Sequence, residues 1–455
     1  MTELSVLASP AGPDSGPPPR RRWLLPVALT MAGGLLLGGS VVALVRHDQR
    51  AASTPPAAPA AVPAGATTDP LGADIVKQQQ AVAATPRNYT AWASLGLDYV
   101  QQAKVTVDPS YYPKAEGALK ASLKLDSTDN YVAMAGEAAL NAAQHHFAAS
   151  RTWAQRGLRI DPYNATLYGS LNDADTQLGL YQQAFDAART MNRLQPGVPA
   201  FTRAEYVYEL RGDIPAARSA LNQALAQASA PADVAFVRYY LGELAFSQGD
   251  ATTALAENEA GLRADPRYFA SIEGKAKAEA ALGRTAAALR DYAAVVAAVP
   301  QPEYVVEYGD YLQSLGRTAQ AKQQYALFGV ENRLFESNGV QLDTDPTLFY
   351  ADHGRPAAAL RFGKAGIKIR PFIEMDDAYA WALHATGRDA EALQWEHKAM
   401  ALGTQNALFY FHAGMIDKSL GNRGAARTML ARALAINPHF SPLHAPVARR
   451  TLASL

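Results

Sequence analysis

The apolar positions of the chain fall into one unbroken run near the start and a long periodic stretch after it. The run is Trp23–Val45, which carries no charged residue. As a helix it spans about 35 Å, against roughly 30 Å of bilayer hydrocarbon. From about residue 86 the pattern changes. Apolar residues recur at helical spacing, as in Leu430, Leu434 and Ile436, between polar faces and isolated glycines. Hardly any segment alternates as a strand does. The chain therefore predicts one membrane-length helix followed by helix after helix to the C-terminus.

Residues 1–22 are proline-rich and hold too little apolar surface for a core, so they read as a disordered tail. Arg20-Arg21-Arg22 precedes the apolar run, and Trp23 stands where an interfacial aromatic belongs. Arg46 and Arg50 follow it, softened by Asp48. This bias favours the tail inside and everything after Arg46 outside. The competing expectation is a cleaved, twin-arginine-like export signal. Thr30, Gly34 and Gly38 share one helical face, where small residues let two membrane helices approach and self-associate. Residues 46–85 read as an Ala/Pro-rich linker.

Internal periodicity dominates the rest. Glycines recur at Gly179, Gly212, Gly249, Gly283, Gly316, Gly354, Gly387 and Gly421, mostly 33–34 residues apart. About five residues after each comes an alanine: Ala184, Ala217, Ala254, Ala288, Ala321, Ala359, Ala392 and Ala426. Pro196, Pro266, Pro300, Pro371 and Pro438 close several of the units. A left-handed glycine closes a first helix, a small alanine lets two antiparallel helices meet, and proline stops the second helix. Glu257, three residues beyond Ala254, reads as the solvated side of the same helix.

The pattern resembles the tetratricopeptide repeat, whose motif carries W–L–G–Y and then G, A, F/Y, A and P at fixed offsets. The last copy matches well, with Ala413-Gly414, Leu420-Gly421, Ala426, Leu430, Ala433 and Pro438 in order. Tyr240-Leu241-Gly242 through Gly249, Ala254 and Pro266 matches comparably. Trp92, Leu95, Gly96 and Tyr99 open a first copy that then gains about seven residues, and a weaker copy has Ser150 at the alanine position. The region near 328–348 is irregular, and the helix around Leu348-Phe349-Tyr350 looks short. About ten copies fill residues 86–440, with 441–455 as a capping helix. The resemblance implies an all-α, right-handed superhelical solenoid of about ten helix-turn-helix repeats, elongated, with each repeat touching only its neighbours.

Lys+Arg and Asp+Glu are both 42, so the formal net charge is zero and a general nucleic-acid binder is excluded. There is no cysteine, which removes disulfides, thiol catalysis and Cys-ligated metal. No GxxxxGK[ST], HExxH or GxSxG occurs, and nothing marks an enzyme. Among the nine histidines, His353, His384, His397, His412, His439 and His444 lie late, but no two stand at a tight ligand spacing, so no metal or other cofactor is assigned. His145-His146 falls in a helix-to-helix turn. Arg211-Gly212-Asp213 occupies an ordinary repeat turn and carries no adhesion role.

The resemblance also places the first helix of each pair on the concave face. Counting back from each turn glycine puts Tyr206, Glu209, Tyr239, Glu243, Phe246, Glu273, Lys277, Asp310, Gln313, Trp381, His384, Phe411 and Lys418 there. Exposed aromatics beside charges compose a recognition surface. The function expected is a membrane-anchored scaffold for a protein or peptide partner at the cell envelope. One alternative is an extracytoplasmic small-ligand or metal-binding module serving a transporter, carried by the late histidines and Trp381. Another is a haem-protein maturation chaperone, which no particular residue selects.

Overall fold

The computed structural model describes residues 70–455. The tail, the Trp23–Val45 span, the Thr30, Gly34 and Gly38 face and the linker as far as residue 69 lie outside the described residues. Among the described residues no helix is long and apolar enough to cross a membrane.

Twenty-two helices follow one another among the described residues. Helix α1 (Pro70–Ala84) precedes ten hairpins. These are α2 and α3 (Tyr89–Thr106, Tyr111–Leu125), α4 and α5 (Tyr131–Ala143, Phe147–Ile160), and α6 and α7 (Ala165–Gln177, Tyr181–Leu194). Next come α8 and α9 (Val198–Leu210, Ile214–Gln227), α10 and α11 (Pro231–Ser247, Ala251–Ala264), and α12 and α13 (Phe269–Ala281, Thr285–Ala298). Then follow α14 and α15 (Pro302–Ser314, Thr318–Ser337), and α16 and α17 (Thr344–Asp352, Pro356–Ile369). The last two are α18 and α19 (Ile373–Ala385, Asp389–Ala399), and α20 and α21 (Ala407–Ser419, Arg423–Ile436). Helix α22 (His444–Ser454) packs on α21 at the end. The short helix expected around Leu348 is the nine-residue α16.

The architecture is a tetratricopeptide-like solenoid, and its register is the one that the glycines and alanines mark. All eight turn glycines have φ between 69° and 81°. All eight alanines that follow them are fully or almost fully buried between the helices of their hairpins, as are Ala115 and Ser150 in the first two. Those two hairpins turn without glycine: Val107 and His145 take the left-handed conformation themselves, at φ 58° and 62°. Such residues resist that geometry. His145 is held there by a 2.9 Å contact from Nδ1 to the carbonyl of Gln341.

Three expectations are corrected. The linker to residue 85 ends earlier, because α1 buries Ile75 and Val82 in the first core cluster beside Tyr99 and Leu140. Glu257 is not on a solvated face, since its side chain is 21% exposed and accepts a 2.7 Å bond from Arg238. The third correction concerns the solenoid as a whole. Repeats touch more than their neighbours. Gln144 Nε2 donates to the carbonyl of Asn338, Thr404 Oγ1 to that of Leu210 and Asn437 Nδ2 to that of Phe246. The Ile373 N–H donates to Tyr181 Oη at 2.8 Å. These partners lie 191–194 residues apart, a little under six repeats.

One superhelical turn therefore ends directly on the next. Arg370 is a fully buried latch. It reaches back to Gln177 Oε1 at 2.6 Å, pairs with Asp343 Oδ1 at 2.8 Å and lies over the rings of Phe147 and Phe372. Three turn glycines take part as well, Gly212 against the carbonyl of Gly403 among them. A Cβ on Gly179 would meet the carbonyl oxygen of Pro371 at 2.5 Å, and one on Gly249 that of Ile436 at 2.9 Å. At Gly283 the same addition meets nothing within 4 Å.

Candidate functional site

Every concave-face residue expected from the sequence lies on the first helix of its hairpin, on α8, α10, α12, α14, α18 or α20. They form three groups, with Lys418 exposed and apart from them.

The first group is acidic. Helices α8, α10 and α12 present Glu209, Glu243 and Glu273 toward one interior, and Lys277 is the cation among them. Its Nζ lies 2.7 Å from Glu243 Oε2, 3.7 Å from Glu273 Oε1 and 4.0 Å from Glu307 Oε1, with the ring of Phe246 beneath at 5.3 Å. Burial alone would lower the Lys277 pKa, but Glu243, Glu273 and Glu307 outweigh it and hold the ammonium charged far above its ordinary range. The carboxyls outnumber it. Burial, reinforced by Glu307, pushes Glu273 well above the carboxylate range. Burial, with Glu374 and Glu243 nearby, raises Glu209 to about 7. Glu205 and Glu303 are raised by burial and then by Glu209 and Glu307 respectively.

The superhelical turn brings in one more member. Tyr206 Oη donates to Glu374 Oε1 at 2.8 Å, although Glu374 lies 168 residues away. Sequence reasoning missed Glu205, Glu303, Glu307 and Glu374. A signal was present for two of them. Glu303 and Glu374 each stand 13 residues before their turn glycine, one helical turn back along the face that was counted. Beside Tyr206 a small cavity is lined by Asn172, Thr176 and the buried, bidentate Arg203–Asp173 pair.

The second group joins α14 to α16. Asp310 Oδ1 accepts from Tyr325 Oη at 2.8 Å and lies 3.1 Å from His353 Nε2, and Gln313 accepts from the same tyrosine at 3.0 Å. Burial works against the His353 proton, yet the bond to Asp310 raises its pKa above the ordinary value.

The third group is aromatic. Trp381 donates from Nε1 to Asp352 Oδ1 at 2.6 Å and stacks between His384 and His412, at centroid distances of 4.8 and 4.2 Å. Phe411 packs on Trp381 and on His444. The expectation of exposed aromatics is corrected here. Trp381, Phe411 and Tyr239 are all buried, so these rings seal the joints between repeats and present no free face. His384 is fastened to Asp389 at 2.5 Å. Behind the stack, His412 meets Asp377 and Glu396, a constellation on three helices that no sequence spacing marked.

No family model matches this chain. No curated protein matches it either. Solved structures do. TTC0263, a thermophilic TPR protein in Thermus thermophilus, is 22% identical over 42% of this chain and 98% of its own, with a TM-score of 0.37. A tetratricopeptide repeat protein from Parabacteroides merdae is 18% identical over 56% of this chain and 97% of its own, with a TM-score of 0.33. Human IFIT1, solved as a dimer with PPP-AAAA, is 13% identical over 80% of this chain and 87% of its own, with a TM-score of 0.45.

Proposed function

We propose that this chain is a non-enzymatic binding scaffold whose inner face holds a cationic segment of a protein partner. The observation that supports this is the charge balance inside the superhelix. Glu205, Glu209, Glu243, Glu273, Glu303, Glu307 and Glu374 follow one another along this face, Lys277 pairs with three of them, and several keep protons that a bound cation would displace. Complementary charge gives such a surface its selectivity and speeds encounter. A rigid array of helices loses little freedom when the partner docks.

The test is binding of a labelled oligolysine decapeptide to the full-length chain, beside an oligoglutamate of equal length. The lysine peptide should bind, weaken as salt rises, and weaken at least about tenfold in the Glu303→Gln/Glu307→Gln variant, since each tenfold is only about 1.4 kcal/mol. Equal binding of both peptides, or none, overturns the reading.

The same reading places the scaffold at a membrane, through the uncharged Trp23–Val45 run and the arginines before it, with the repeats outside the cytoplasm. A reporter that works only outside the cytoplasm, fused after Leu455, should be active. Activity of a cytoplasm-only reporter instead would reverse the orientation.

A further inference from the structure

We propose that Asp377, Glu396 and His412 form a binding site for one divalent transition-metal ion that staples the last two hairpins together. Asp377 lies on α18, Glu396 on α19 and His412 on α20, so the donors come from one hairpin and the first helix of the next. Each residue can offer one donor atom, and the three atoms lie within 4.8 Å of one another. Their exposures are 1%, 0% and 0%, so water does not solvate the charges.

Three features separate this site from a chance cluster of acids. First, both oxygens of Glu396 are buried with no donor group of the protein facing them, a costly arrangement for a carboxylate. Second, no lysine or arginine among the described residues forms an ion pair with Asp377 or Glu396, although they lie beside each other, whereas the comparably buried aspartates Asp173 and Asp343 each have an arginine. Third, the imidazole is already oriented. Its Nδ1 sits 2.7 Å from Asp377 Oδ1, and the Trp381 ring lies on its face, 16° from parallel.

A divalent ion fits with balanced charge: two carboxylates and a neutral imidazole against two positive charges. Two oxygens and one imidazole nitrogen suit zinc, cobalt, manganese or iron better than calcium or magnesium, which prefer all-oxygen sites.

The closed position of the site sets the experiment. The full-length chain is expressed in medium supplemented with cobalt or with zinc, and metal content is measured after removal of loosely held ions. One equivalent per chain is expected, with a cobalt d–d absorption band and a change in tryptophan emission from Trp381. Glu396→Gln copies the shape and charge of the protonated side chain, so the variant should fold, lose the bound equivalent and lose the absorption band. A His412→Gln variant with the same loss provides the second reading. Less than a tenth of an equivalent in the parent chain, or a full equivalent retained in folded Glu396→Gln, overturns the site. Binding of the lysine peptide should be unchanged in Glu396→Gln, so this proposal and the inner-face reading fail separately.

Discussion

The superhelix buries two groups of carboxylates and treats them differently. Around Lys277 the compensation is built in: one ammonium serves Glu243, Glu273 and Glu307, and its side chain keeps 16% exposure. Around His412 no lysine or arginine among the described residues pairs with Asp377 or Glu396. The difference teaches what each place can accept. The lysine group is already near balance at one end and over-acidic at the other, so it can take a soft, extended cation along its length. The histidine group is compact and short of a single doubly charged centre. The lysine group is built from first helices alone, whereas the histidine group adds Glu396 from the second helix α19.

The largest effect should come from removing the lysine. Breaking a buried ion pair by deleting one member typically costs about 3–5 kcal/mol. Here Glu243 and Glu307 are partly exposed and remain in reach of water, so Lys277→Met should lose about 2–3 kcal/mol in denaturant unfolding at pH 7. A loss below about 0.5 kcal/mol, the range of ordinary surface changes, would mean that the lysine is not what balances this group.

A smaller effect tests whether the turns of the superhelix really close over both groups. Gly179→Ala and Gly283→Ala both force alanine into left-handed backbone, at about 1 kcal/mol each. Only the first also drives a methyl group against the carbonyl of Pro371. The Gly179 variant should therefore melt clearly below the Gly283 variant. Equal melting temperatures would show that the turns stand apart in solution.

Next in size is a dependence on pH that belongs to the lysine group. Folded Glu209 keeps its proton to about pH 7, while the unfolded carboxyl releases it near 4.5. Between those values the folded chain binds more protons than the unfolded one, so stability is greatest below pH 4.5 and falls as pH rises to 7. The melting temperature should drop by a few degrees from pH 5 to pH 8 on this account, and Glu209→Gln should flatten the slope. A slope of the opposite sign in that comparison refutes the assignment.

The smallest effect is expected at the histidine group. Glu396→Gln replaces a protonated carboxyl with an amide of equal shape, so in metal-free protein it should shift stability by less than about 0.5 kcal/mol. A large loss would mean that Glu396 is ionised and paired, which would make the two groups alike.

Much of this fold was legible because the repeat writes its geometry into residue size. Glycine at the turn and alanine five residues later are steric requirements, and both were read in register from Gly179 to Ala426. His145 was placed in a helix-to-helix turn, but its left-handed conformation and that of Val107 were not legible, since neither residue type announces one; His145 is kept there by Gln341 on the next superhelical turn. That contact was itself invisible. It depends on small rotations summed over nearly six repeats, and no local residue encodes the sum. The acidic face was read in part, because its positions follow helical spacing back from the turn. The meeting of Asp377, Glu396 and His412 was not, because steps of 19 and 16 residues fit no ligand motif and become neighbours only when three helices align.

The latches between successive superhelical turns carry a mechanical consequence. An open coil of repeats stretches in proportion to the load on its ends, like a soft spring. Here Arg370, Thr404 and Asn437 tie each loop of the spring to the one before. Such a coil keeps its length until a tie gives way, then lengthens abruptly by one loop. A load along the coil would thus be resisted up to a threshold, beyond which the inner face opens in a single step.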